Sequence, residues 1–200
     1  MKINKKLLAL AVLAGVVTAG ASFVDAGTAC LWSGSNCSTP TTVTVAIKPG
    51  DICIGSEGAF NFGNYNVSSS SQTVNGTFAT PFWVEDLKGA DAWYYTTVQM
   101  SGNLQGSGTN SIASSNISMR ANGGITTMAG TANTSVVVNS AVAGAYQPLN
   151  NPVTLIKRDN AVNYGRIGRY GTTPSLQLVI PAYQSVGTYT GTLVYTLYNN

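Results

Sequence analysis

The last fourteen residues, "GTYTGTLVYTLYNN" (187–200), constrain the fold most. Tyr189, Leu193, Tyr195 and Leu197 occupy one set of alternate positions; Thr188, Thr190, Thr192, Val194 and Thr196 occupy the other. A period of two, apolar against threonine, describes a β-strand with one buried and one wet face. Such a strand is too apolar to leave unpaired, because an open edge invites aggregation. It must pair, either within its own sheet or with another copy of the chain.

The same alternation recurs upstream. Strands are expected at 41–47 (TTVTVAI), 59–66 (AFNFGNYN), 72–79, 82–85, 92–100, 111–120, 124–128, 134–140, 152–158, 175–180 and 187–198. Turn signals such as Pro49-Gly50, Asn75-Gly76, Asn122-Gly123 and Pro181 separate them. No segment carries a convincing helical period. About ten short strands without helices predict an all-β fold, an antiparallel β-sandwich of Ig-like or Greek-key type. Its expected core includes Phe62, Trp83, Val98, Leu178, Ile180, Leu193 and Leu197. The final strand is expected to close its own sheet by pairing with a neighbour such as 175–180, with 181–186 as the turn.

The opposite end speaks to compartment. Lys2, Lys5 and Lys6 precede an apolar run from Leu7 to Val17, and Val24-Asp25-Ala26 offers small residues for cleavage. This predicts a secretory signal over residues 1–26. The run is shorter than the roughly 20 residues that span a bilayer, so no membrane association is expected after cleavage. Residues 27–40 then form a cysteine-containing N-terminal segment, and 41–200 a single sandwich domain. The leader holds three of the ten basic residues and one of the seven acidic ones. Seven against six remain, a net charge near +1, so the sequence pI of 8.8 implies no nucleic-acid partner.

Export would place Cys30, Cys37 and Cys53 in an oxidising compartment, where two of them can pair. Cys30 with Cys37 closes a loop around "CLWSGSNC"; Cys37 with Cys53 pins that loop to the first strands. Spacing does not choose between these pairings, and the third thiol is left free or used between chains.

The chain contains no histidine. That removes the Ser-His-Asp and Cys-His arrangements and every His-containing metal site. The cysteine spacings match no common zinc pattern, so neither metal nor cofactor is expected. Glycoside hydrolysis needs two carboxylates about 5 to 9 Å apart. The candidates are Asp86 and Asp91 across the "LKGA" turn, with Glu85 on the opposite strand face. The competing reading, a solvated hairpin turn that Lys88 partly neutralises, makes the chain no enzyme. "IKRDNAVNYGRIGRYG" (156–171) gathers Lys157, Arg158, Arg166 and Arg169 with Tyr164 and Tyr170. It reads either as a grip for an anionic wall polymer or as a loop whose charges keep a strand edge soluble.

Three stretches together resemble the WxL-type surface domains of bacteria: "FNFGNYNVSSSSQTV", "FWVEDLKGADAWYYTTVQMSG" and "LQLVIPAYQSVGTYTGTLVYTL". Trp93-Tyr94-Tyr95 and Tyr195-Thr196-Leu197 stand where that family carries its two Trp-x-Leu triplets, and each keeps one half. The resemblance implies non-covalent attachment to peptidoglycan through Trp93, Tyr95, Tyr195 and Leu197. The closing strand is also similar to those of chaperone–usher pilins and secreted spore-coat U-type subunits, where a neighbour donates a strand to complete an edge. The combined expectation is a secreted, non-catalytic structural or adhesive module at the cell surface, meeting cell-wall polymer or other surface proteins. The alternatives are a self-assembling pilus- or coat-like subunit using strand exchange and a secreted carbohydrate-active hydrolase.

Overall fold

The computed structural model describes residues 43–55, 58–88, 93–159 and 166–199. The chain divides into two units, Met1–Lys48 and Pro49–Asn200. Of the first unit only 43–48 is described; it carries no regular secondary structure and its side chains are exposed. Val43, Val45 and Ile47 alternate as the sequence predicts, yet they stand in no sheet. The strand expected at 41–47 is therefore absent over its described part, 43–47.

The second unit is all β. In chain order its strands are β1 (Ile52–Gly55), β2 (Gln72–Thr77), β3 (Phe82–Asp86), β4 (Tyr94–Met100), β5 (Leu104–Gln105), β6 (Ser111–Ile112) and β7 (Ile117–Ala121). There follow β8 (Thr126–Gly130), β9 (Val136–Val138), β10 (Gln147–Pro148), β11 (Val153–Arg158), β12 (Gly168–Thr172), β13 (Pro174–Ile180) and β14 (Leu193–Asn199). Among the described residues a single 3-10 turn, Ser114–Asn116, interrupts them. That turn splits the strand expected at 111–120. Residues 59–66 form no strand, although Phe60 and Phe62 pack on the core.

Three four-stranded sheets result, ordered β1-β3-β12-β8, β10-β7-β13-β2 and β14-β4-β11-β9, beside the small β5-β6 ribbon. Every ladder between named strands is antiparallel. The first two sheets continue into one another, because β2 leads to β3, β7 to β8, and β12 to β13 through Thr173 alone. Backbone bonds close the junction: Phe78 N donates to Pro174 O (3.1 Å) and Asn122 N to Thr173 O (2.9 Å). The third sheet covers them. Phe82 of β3 stacks on Tyr195 of β14 with centroids 4.7 Å apart, joining the layers as aligned sandwich sheets are joined.

The closing strand does not pair with 175–180. Leu193–Asn199 lies on β4 over its whole length, from Leu193↔Met100 to Asn199↔Tyr94, while β13 is flanked by β2 and β7. The chain crosses from one sheet to the other after Ile180 instead of folding back as a hairpin, a connection typical of Greek-key sandwiches.

The core is set by strand phase. Phe82, Val84 and Asp86 point inward on β3, so Trp83 and Glu85 point outward. Trp83 is thus not a core residue as expected; its ring covers Gly55 of β1 and carries the Arg169 guanidinium 4.3 Å from its centroid. Val98 and Leu178 are buried, and Phe62, Ile180, Leu193 and Leu197 pack against the core from its edge. Gly130 ends β8 at φ +80, where a side chain would strike the backbone of Ile167.

Candidate functional site

A groove of about 860 Å³ opens between residues 58–68 and the segment 184–195. Its floor is the core itself, including Phe78, Met100, Leu104, Ile112, Leu176 and Leu178. Among the described residues no charged side chain lines it.

Each rim is held by something other than a strand ladder across the opening. On one side Phe60 packs edge-on to Phe62 and against Phe78, both with centroids 4.9 Å away, and its ring covers the bare backbone of Gly76. Tyr65 Oη donates to Phe62 O (2.8 Å), and Asn61 Oδ1 accepts from Gly63 N (2.8 Å). On the other side Tyr189 lies over Gly106 and donates to Ser185 O (2.7 Å), while Gln184 Nε2 donates to its hydroxyl (2.7 Å). Gln105 and Thr190 exchange backbone bonds of 2.8 and 2.9 Å. Strand β14 is the edge of its sheet, paired with β4 and with no second neighbour among the described residues. Among the described residues its other backbone edge has no strand partner.

The sequence-predicted site residues fall elsewhere and do not converge. Trp93 and Tyr95 stack outside the third sheet at 6.1 Å, and Tyr95 stacks on Tyr198 at 4.7 Å. Tyr195 and Leu197 face the opposite way, into the sandwich. The four family positions therefore lie on two faces of one sheet.

At its described residues the basic stretch belongs largely to strands, Ile156–Arg158 to β11 and Gly168–Gly171 to β12. Arg158 is 3% exposed and Asp86 fully buried; Arg158 Nη1 meets Asp86 Oδ2 at 2.5 Å. An external polymer cannot reach Arg158. This also corrects the solvated-turn reading of Asp86, whose Oδ1 accepts from Lys88 N at 3.1 Å. Neither oxygen is available as a catalytic acid, and Asp91 lies outside the described residues. Arg169 belongs to β12, a strand not expected from sequence, and bonds Glu85 at 3.0 Å. Lys157 pairs with Asp159 at 2.8 Å, and Arg166 donates to Ala132 O. Tyr164 lies outside the described residues.

Two tyrosines border the buried pair. Burial pushes the phenol of Tyr94 above its ordinary range, and the nearby Asp86 charge adds to this; its hydroxyl has no hydrogen-bond partner among the described residues. Burial and Asp86 likewise raise Tyr170, whose hydroxyl donates to Thr131 O at 2.8 Å. Cys53 sits exposed on β1 with Sγ 3.8 Å from Glu85 Oε2, its thiol pushed up by burial and by that carboxylate. Cys30 and Cys37 lie outside the described residues.

Sequence reasoning missed the groove because its rims come from segments without a ladder. The signal lay in "FNFGNYN", where asparagine and glycine interrupt the aromatics and deny them a strand. No family model, no curated protein and no solved structure matches this chain.

Proposed function

We propose that the chain is a secreted, non-catalytic structural module of a bacterial surface that joins other polypeptides by taking an extended segment into its groove. The observation that supports this is the groove: an opening onto the core, bordered by Leu193 and Tyr195 of the edge strand β14, with no charged side chain among its described lining residues. An unpaired edge offers main-chain hydrogen bonds, and pockets beside it accept alternate side chains, which is how strand addition recognises a peptide. The ionic groups Asp86, Arg158, Glu85 and Arg169 are engaged with one another, which favours a binding role over a reactive one. The test is to screen short alternating peptides against the purified chain by thermal melting. Binding of none of them would remove this reading.

A second reading, wall association, has its own support in the outward stack of Trp93, Tyr95 and Tyr198. It expects the purified chain to co-sediment with isolated cell walls and Trp93→Ala to weaken that.

A further inference from the structure

We propose that a second site, separate from the groove, binds a sugar acid: the Arg120 guanidinium holds its carboxylate, and its hydroxylated ring sits in the pocket that Arg120 lines. That pocket has a volume of about 730 Å³ and shares no lining residue with the groove.

The first observation is the state of Arg120. Arg158 and Arg169 pair with carboxylates, and Arg166 donates to Ala132 O. Arg120 has no ion-pair or hydrogen-bond partner among the described residues, and its one contact of note is with Tyr146, whose ring centroid lies 4.8 Å from its Cζ. An aromatic ring takes one face of a guanidinium and leaves the in-plane N–H donors free, so the stacking orients the fork without satisfying it. Arg120 Nε is closed to water. The terminal nitrogens are therefore the end that meets a ligand, and their spacing matches the two oxygens of a carboxylate.

The second is how the pocket is built. It is lined by Thr127 of β8 and by all of β9, the end strands of the first and third sheets. Side chains fix its borders: Asn133 Oδ1 accepts from Ser135 N (3.0 Å), and Asn139 Oδ1 accepts from Ala141 N (2.9 Å). Ala121 N donates to Val142 O (2.9 Å) across the bottom of the opening. Gly124 and Gly144 line it, and no atom stands within 4 Å of where a side chain would begin at either position. The walls are thus set back and leave room for a ring.

The third is the chemistry of the lining. Among the described residues Arg120 is its single charged group, and no acidic side chain faces it. A ligand's ammonium would find no counter-charge there, which disfavours amino acids, and one guanidinium suits a monoanion better than a phosphate dianion. Asn122 and Thr127 supply an amide and a hydroxyl for sugar hydroxyls, while Ile125 and Val138 supply apolar surface for the C–H face of a ring.

The test is calorimetric titration of the purified full chain with D-glucuronate, D-glucose and D-glucose 6-phosphate. Glucuronate should bind one to one, with the other two much weaker. Arg120→Met should weaken it by about tenfold or more. Gly124→Leu should weaken it too, by filling the pocket; Gly124 has no positive φ and open space beside it, so this variant should fold like the parent. No binding of glucuronate, glucose bound as tightly, or glucose 6-phosphate bound more tightly overturns the proposal. So does undiminished binding by a folded Arg120→Met chain. If that chain does not fold, undiminished binding by Gly124→Leu overturns it instead.

Discussion

At the scale of residues, the Asp86–Arg158 pair explains both a success and a failure of sequence reading. Adjacent Glu85 and Asp86 point to opposite faces, as strand geometry requires. Which face is inside was not legible, because an inward aspartate looks forbidden until its arginine, 72 residues away, is placed beside it. Trp83 was assigned to the core for the same reason. A buried charge whose partner is removed is costly, so Arg158→Met should destabilise by about 3–5 kcal/mol in denaturant titrations. Adding Asp86→Leu to that variant should restore much of the loss. Tyr94 and Tyr170 make a separate prediction. Their folded pKa values lie above the ordinary value of about 10, so the folded state holds protons that the unfolded chain releases. The stability they contribute is fully present below about pH 10 and is lost as pH rises through the folded values. A urea midpoint that is flat from pH 8 to 10 and falls above it is expected; an unchanged midpoint at pH 11 would count against it.

At the scale of elements, alternation located most strands but not their partners. Strands β2, β3, β4, β11 and β13 lie within a residue or two of expectation, since β-branched and aromatic residues at period two suit half-buried ladders. Strand β12, "GRYGT", escaped notice because its two glycines and arginine look like loop. Its Gly171 nevertheless has a packing role, with Phe82 O and Met128 close to where a side chain would stand. Turn residues at 181–186 announced a change of direction but could not say that the chain would cross to β4. Seven residue pairs join β14 to β4. Deleting 193–200 strips one whole edge from the third sheet and uncovers Phe82. The truncated chain should lose its cooperative melt by circular dichroism; a soluble, sharply melting truncate would contradict this.

At the scale of the molecule, an all-β sandwich was legible because nothing in the sequence competes with it. The groove was not, because its rims are built from 58–68 and 184–192, segments that alternation does not place against one another. The path of the chain past Leu87 has a mechanical consequence. Tension on the chain ahead of Pro49 reaches the second unit through Gly50 and then β1, whose four residues are zipped to β3. Antiparallel hydrogen bonds lie perpendicular to their strands, so a pull along β1 loads all of its rungs together instead of peeling them one by one. Such a load falls on four residue pairs at once.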